Sequence, residues 1–391
     1  MIDKPLNILI VASWYPSEHS PTEGSFIEEQ AKMLKKAGHK VIVLHPFLMG
    51  SFLSSFVKKN IVKYDHWNNI QVLRIGTKPI IPRQRRLAYK KLYYTCIKEL
   101  KLNRIPIDQF DIIHSHAMFM GGYIAMNLAK EFKIPFLHTE HTSGLIFNPK
   151  QYNTQDLKVI FEVFNSAKQN FFVSNFALEK TLDQFSIKRT NAHQVLHNLV
   201  DDIFFEIMQP MTEKAPFTYL AICNLIPRKR VDLLLRSWSE LVKKYPDSQL
   251  TIAGDGPEKD KLISLVNLLD LEHSVKFAPT LGREEVKKQL TNHHVLVSTS
   301  ELETFGLTVA EAQAIGKPVV VTDSGGVRDI VSSETGIITD QSVENFAQGL
   351  ISIRKNYDHY NSSEIRERAH RNFSSDIIYK NLLAIYQSAF V

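Results

Sequence analysis

The sequence predicts two α/β domains, each a doubly wound parallel sheet, and three observations carry that expectation. Runs such as residues 7–13 (NILIVAS), 218–224 and 295–300 are short, β-branched and apolar on both faces, as strands buried within a parallel sheet are. Each is followed by a glycine-bearing or polar turn and then a helical period, which is the βα repeat. The repeat halts near residue 199, passes Pro210 and Pro216, and restarts at Thr218. At 391 residues the chain also exceeds what one core usually fills.

In the first domain, residues 1–199, the strand 7–13 leads through Trp14-Tyr15-Pro16 to the Gly24-Ser25 turn. A helix follows, with Phe26, Ile27, Ala31, Met33 and Leu34 at packing positions and Gly38 as its stop. Residues 41–44 are the next strand, whereas 47–63 mix Phe and Leu with Lys in no clean strand pattern. Residues 83–104 read as a basic helix with Leu87, Leu92, Tyr93, Ile97 and Leu100 on its apolar side. Strands are expected at 111–115, 135–139, 170–174 and 194–198, and helices over 121–132 and from about Phe176. Residues 200–217 read as a linker.

The second domain, residues 218–375, begins with the strand 218–224 and the helix 231–244. The strand 249–253 ends in Gly254-Asp255-Gly256-Pro257, ahead of a helix at 258–268, a strand at 275–277 and a helix at 284–290. Strand 295–300, an acidic glycine turn, helix 307–315 and strand 319–321 then form a βαβ unit closed by Ser324-Gly325-Gly326. Ligands of such units collect at the carboxyl ends of the strands, where a helix N-terminus offers N–H groups to an anion. Glu303 and Glu311 bracket that terminus. Carboxylates do not hold phosphate; they accept hydrogen bonds from hydroxyls, and a sugar nucleotide carries hydroxyls on both sides of its diphosphate. Residues 343–355 and 364–371 are helical, and 376–391 form a terminal helix expected to pack back on the first domain.

Apolar content of 44% and charged content of 23% are those of a globular chain, and no apolar run is long enough to span a bilayer. With no leader pattern either, a cytoplasmic protein is expected. Cys96 and Cys223, far apart, read as buried small hydrophobes in a reducing compartment. Charge is uneven: residues 1–200 hold 26 Lys+Arg against 15 Asp+Glu, and the remainder 21 against 26. That asymmetry assigns an anionic partner to the first half only. No nucleic-acid motif is present, so a phosphorylated lipid or anionic membrane surface fits better, through residues 83–104. His114, His116, His138 and His141 lack a carboxylate or cysteine partner at metal-site spacing, so no metal is expected. His141 is singled out because it follows a strand at a ligand-collecting loop.

These residues together resemble a retaining glycosyltransferase of the GT-B fold, in the large family 4 that includes bacterial polysaccharide and glycolipid transferases. The motifs are Gly24, Gly38-His39-Lys40-Val41, Asp111-Ile112-Ile113-His114, His141-Thr142-Ser143, Asn198-Leu199-Val200-Asp201, Gly254-Asp255-Gly256-Pro257, the Glu303-x7-Glu311 pair, Gly325-Gly326 and Phe373-Ser374. The resemblance implies two Rossmann-like domains facing across a cleft, the first binding the acceptor and the second a nucleotide-diphosphate sugar, with no cofactor. It implies that Glu303 contacts donor-sugar hydroxyls, that the Phe305-Gly306-Leu307 amides bind phosphate or sugar oxygens, and that Glu311 accepts from the ribose. Lys229 would neutralise the leaving diphosphate, His141 would lie beside the transferred sugar, and the Gly24 loop would approach the phosphates. Gly254 and Gly256 serve either a plain turn or the donor. The segment Phe277-Ala278-Pro279 would meet the base through its backbone.

The family often has Arg where Asn224 stands, which removes a cation from the diphosphate site; Arg228 or Arg230 is the candidate substitute. The acceptor is expected to be a saccharide or lipid-linked saccharide at the inner membrane face. A sugar-nucleotide epimerase of the same fold and a non-catalytic sugar-nucleotide-binding scaffold remain as alternatives. A dehydrogenase is disfavoured, because Gly254-Asp255-Gly256 runs on to Lys259 where the dinucleotide fingerprint wants Gly or Ala.

Overall fold

The computed structural model describes residues 4–49, 60–78, 85–206 and 216–390. It divides into two compact units, Met1–Leu199 with Ile378–Val391, and Val200–Ile377.

The first unit runs β1 (Asn7–Ala12), α1 (Ser25–Lys36), β2 (Lys40–Leu48), β3 (Ile61–Trp67), β4 (Ile70–Thr77), α2 (Arg85–Leu102) and β5 (Ile112–His116). It continues with α3 (Tyr123–Phe132), β6 (Phe136–Glu140), α4 (Ser143–Phe147), α5 (Thr154–Ser166), β7 (Gln169–Phe172), α6 (Asn175–Gln184) and β8 (His193–Val195). The sheet order is β3-β4-β2-β1-β5-β6-β7-β8, parallel throughout except for the β3 edge. The winding order reverses between β1 and β5, the switch point where open α/β sheets place ligands.

Sequence patterning missed the β3–β4 hairpin. Its turn is Asn68-Asn69, both at positive φ (46° and 66°), which suits a two-residue primed turn. The strand itself is exposed along most of its length, so no buried face marked it. Helix α5 was also missed, although Asn153 and Asp156 form a capping box at its start. On α2 the buried side is Ala88, Tyr89, Leu92, Tyr93, Cys96 and Leu100, while Leu87 is 42% exposed, contrary to expectation. Residues 83 and 84 of that basic stretch lie outside the described residues.

The second unit runs β9 (Thr218–Ile222), α7 (Val231–Lys244), β10 (Gln249–Ala253), α8 (Lys259–Leu268), β11 (Val275–Ala278), α9 (Arg283–Asn292) and β12 (Val295–Ser298). Then follow α10 (Leu307–Ala314), β13 (Val319–Thr322), β14 (Gly336–Thr339), α11 (Val343–Lys355) and α12 (Ser362–Phe373); the last helix, α13 (Ser375–Ser388), belongs to the first unit from Ile378 onward. Its parallel sheet has the order β11-β10-β9-β12-β13-β14, with the switch point between β9 and β12. Trp238 of α7 is fully buried in the core, and its indole N–H donates to Ser274 Oγ at 3.1 Å.

Residues 200–206, read from sequence as linker, are instead built into the second unit. Phe204 is fully buried, and Asp201 Oδ1 accepts from the Ile203 N–H to cap a short 3₁₀ turn, Asp202–Phe205. The rest of the expected linker, 207–215, lies outside the described residues. In the first unit, Ile378, Leu382 and Tyr386 of α13 join the core with Ile8, Ile10, Leu34, Val43 and Phe171. Among the described residues, no helix is long and apolar enough to cross a membrane.

Candidate active site

The carboxyl ends of β9 and β12 bring Lys229 and Glu303 together. Lys229 sits on the turn Pro227–Lys229 after β9, and its Nζ donates to Glu303 Oε1. The two side chains are 18% and 20% exposed, so a desolvated cation and carboxylate share one spot at the switch point. The backbone holds them there. Glu301 N–H donates to Arg228 O (2.9 Å) and Thr299 Oγ1 to Lys229 O (3.0 Å), tying the two loops. Glu303 N–H donates to Ser324 O and Gly326 N–H to Glu303 O, so the loop after β13 clamps the glutamate from the other side.

Gly306 caps α10 at φ 106°, and Phe305 beside it is buried with its ring edge-on to Phe373 at 5.5 Å. The Phe305 ring is therefore an anchor that aims the start of α10. Glu311 turns into the unit, where Arg283 Nη1 donates to its Oε1 at 3.4 Å. Arg283 Nε donates to Asp201 Oδ2 at 2.9 Å, and its guanidinium lies over the Phe204 ring. Sequence reasoning missed Arg283, because a lone Arg after a strand carries no pattern. Asn224 is exposed, Arg228 is half-buried, and Arg230 pairs with Asp232 at 3.1 Å.

Gly254 and Gly256 have a packing role that the sequence left open. At Gly254, φ is 143° and a Cβ would lie 1.9 Å from Cys223 O; at Gly256 it would lie 2.4 Å from Leu225 O. The loop after β10 thus lies directly on the loop after β9, with Leu225 N–H donating to Asp255 O at 2.8 Å. Ala278 O accepts from Gly254 N–H, Phe277 is partly buried against the core, and Pro279 is exposed. Burial pushes the neighbouring Cys223 thiol up to about 11, so it stays protonated and neutral.

In the first unit, Gly24 makes a comparable close approach: at φ 70° a Cβ would lie 2.7 Å from Trp14 O, and its carbonyl accepts the first amides of α1. His141 follows β6. Its Nε2 lies 3.0 Å from His116 Nδ1, and Phe26 packs on its ring at 4.4 Å. Glu140 holds the turn, its Oε1 accepting from the N–H groups of His141 (2.7 Å) and Thr142 (2.6 Å). Burial raises the Glu140 carboxyl, but hydrogen bonds from His138 and Thr142 outweigh it and hold the group below its usual range. Burial, with a smaller push from His138 and against the pull of the Glu140 carboxylate, takes His141 down to about 3, so the ring is neutral. A cavity of about 370 Å³ opens beside the switch point, lined by Trp14, Glu23, His45, Phe47, Arg85 and Tyr89 among others.

The family described as "Glycosyltransferase Family 4" matches residues 24–203, and that described as "Glycosyl transferases group 1" matches residues 204–372. The chain belongs to glycosyltransferase family 4. It has the GT-B type of α/β unit twice over and acts on sugar donors. A glycosyltransferase of Methanocaldococcus jannaschii is 24% identical over 379 residues, covering 92% of this chain and 92% of that protein. The alpha-monoglucosyldiacylglycerol synthase of Acholeplasma laidlawii is 25% identical over 354 residues, covering 83% of this chain and 82% of that one. The crystal structure of Anabaena Alr3699/HepE in complex with UDP and glucose matches with a TM-score of 0.74 at 17% identity, over 98% of this chain and 100% of that one, which shows a common fold.

Proposed function

We propose that this family 4 glycosyltransferase moves a sugar, with retention, from a nucleotide-diphosphate sugar to a hydroxyl of a saccharide or lipid-linked acceptor. The observation that carries the reading is the Lys229–Glu303 pair at the β9/β12 switch point. A cation there can neutralise a departing diphosphate, and the adjacent carboxylate can accept from sugar hydroxyls. Side-chain cations, in this reading, do the work a divalent ion does elsewhere. In this reading Glu303 binds hydroxyls instead of attacking carbon, so retention follows from attack on the same face, the leaving phosphate taking the acceptor's proton, and the protein contributes positioning and charge.

The aromatic cavity with Trp14, Tyr89 and Arg85 supports a saccharide acceptor in the first unit. The exposed side of α2 supports a membrane-borne one. Arg85 and Arg86 are paired with Asp156 and Glu162, but Lys90, Tyr94, Lys98, Lys101 and Leu102 form an exposed basic and apolar stripe. Each such lysine at an anionic surface contributes about 1 kcal/mol. The reading places the enzyme at the inner membrane face.

Melting curves with UDP, GDP and ADP and with their sugars test the donor. A bound nucleotide at a hundredfold excess over its Kd stabilises the second unit by about 2.7 kcal/mol. No shift with any of them, or turnover abolished by EDTA, would sink the donor assignment or its metal independence respectively. Free epimerised sugar nucleotide, formed without acceptor, would favour the epimerase instead.

A further inference from the structure

A line of polar side chains in the first unit begins on the terminal helix and ends at His141. Tyr386 Oη lies 2.9 Å from His114 Nδ1. Gln30 Nε2 lies 3.4 Å from His114 Nδ1 and 3.4 Å from His116 Nε2. His114 Nε2 lies 2.7 Å from Thr139 Oγ1, and His116 Nδ1 lies 3.0 Å from His141 Nε2. Tyr386, His114, His116, Gln30 and Thr139 are all buried.

One proton sets the direction of every bond in this line. Among the described residues, His114 Nδ1 is the only hydrogen-bond partner of the Tyr386 hydroxyl. A buried phenol that merely accepted there would strand its own proton, so it donates. His114 Nδ1 is then a lone pair, and the neutral ring carries its proton on Nε2, which donates to Thr139 Oγ1. Facing that lone pair, Gln30 must present its NH2 group rather than its oxygen. The other hydrogen of the same NH2 group reaches His116 Nε2, which therefore accepts. His116 is left with its proton on Nδ1 and donates it to His141 Nε2. The His141 proton consequently sits on Nδ1, an atom that is buried and has no partner among the described residues.

We propose that Tyr386, acting through His114, Gln30 and His116, holds His141 as its Nδ1–H tautomer and so makes it a hydrogen-bond donor to an oxygen of the transferred sugar. This rests on the reading that places His141 beside that sugar. Burial pushes His114 and His141 down to about 3, takes His116 well below the usual range and raises the Tyr386 phenol, so all four groups are neutral near neutral pH. Tyr386, His114, Gln30 and His116 are positioning residues. A tautomer set by hydrogen bonds costs no charge and leaves no lone pair facing a lone pair.

The test is selective ¹⁵N-histidine labelling with long-range ¹H–¹⁵N correlation, which separates the two neutral tautomers, on the free protein. The wild type is expected to show Nδ1–H for His116 and His141 and Nε2–H for His114, assigned by single substitutions. Tyr386→Phe removes one hydroxyl and should turn the His116 and His141 patterns into mixtures. Gln30→Glu presents two acceptors and should invert both. With UDP-glucose as the probe donor, Gln30→Glu should raise KM about tenfold while kcat stays within about threefold, the mark of a lost binding contact. Dispersion in the same spectra reports that each variant is folded. An Nε2–H tautomer on His141 in the wild type, or a pattern unmoved by Tyr386→Phe, overturns the proposal. Inverted tautomers with unchanged KM overturn the link to the sugar. Because the tautomers are read without donor, their failure is distinct from the failure of every nucleotide sugar to shift the melting point, which would count against the proposed function instead.

Discussion

Acidification should destabilise the first unit before its carboxylates protonate. Burial pushes His45 down to about 4, His114 and His141 to about 3, and His116 well below its ordinary value. In the unfolded chain each ring takes a proton near 6.5. Above that pH both states hold the rings neutral and nothing is lost. Below it the unfolded state binds more protons, so stability falls as pH falls, until the folded values near 3–4 are reached. Each histidine costs about 1.4 kcal/mol per pH unit in that window. With His45 and His141 only partly buried, the four together cost about 3–5 kcal/mol between about pH 6 and about pH 5, a large share of a stability of about 5–15 kcal/mol. Urea denaturation reads this directly. The second unit has Trp238 and the first has Trp14 and Trp67, so single-tryptophan variants follow the units separately. At an m-value of about 2–3 kcal/mol/M, the first unit's midpoint should drop by about 1–2 M over that pH unit. His114→Asn should flatten the dependence by about one proton. A first-unit midpoint moving by less than about 0.3 M would refute the burial argument.

The remaining predictions concern the second unit. Lys229→Ala should lower kcat by about 10²–10³ in steady-state assays, and recovery of most activity by an alanine would remove the lysine from the leaving-group site. Arg283→Leu should cost about 2–4 kcal/mol by melting, because it strands carboxylates that are 16% (Asp201) and 7% (Glu311) exposed; the figure is discounted for a guanidinium that is itself 27% exposed. Adding Asp201→Asn should cost less in that background than in wild type, and strict additivity would show Arg283 and Asp201 to be uncoupled. Gly254→Ala should destabilise the second unit by about 3 kcal/mol or more, since its Cβ would sit 1.9 Å from Cys223 O; an unchanged melting point would mean that the loops separate easily.

The second unit was the more legible in sequence, for a physical reason. Its strands β9, β10, β12 and β13 are short, buried on both faces and separated by helices with clear periodicity, so composition alone marks them. The position of Glu303 and Glu311 around the start of α10 was legible as well, because a βαβ unit puts its strand exits and helix start at one edge whatever packs around it. The exposed β3 had no buried face to betray it, and 200–206 looked like a linker because its two buried residues, Val200 and Phe204, are too few to make a period.

What the sequence by itself determined is the βα repeat, the place where it restarts and which residues stand at the exits of β9 and β12. Local pattern and turn residues suffice for those. What only the tertiary structure decided is which partner each polar group has. Arg283 meets Glu311 and Asp201, which are 28 and 82 residues away, and Tyr386 meets His114 across 272 residues. Periodicity reports whether a side chain is buried; it carries no information about which lone pair faces it, and in the first unit that decides where His141 keeps its proton.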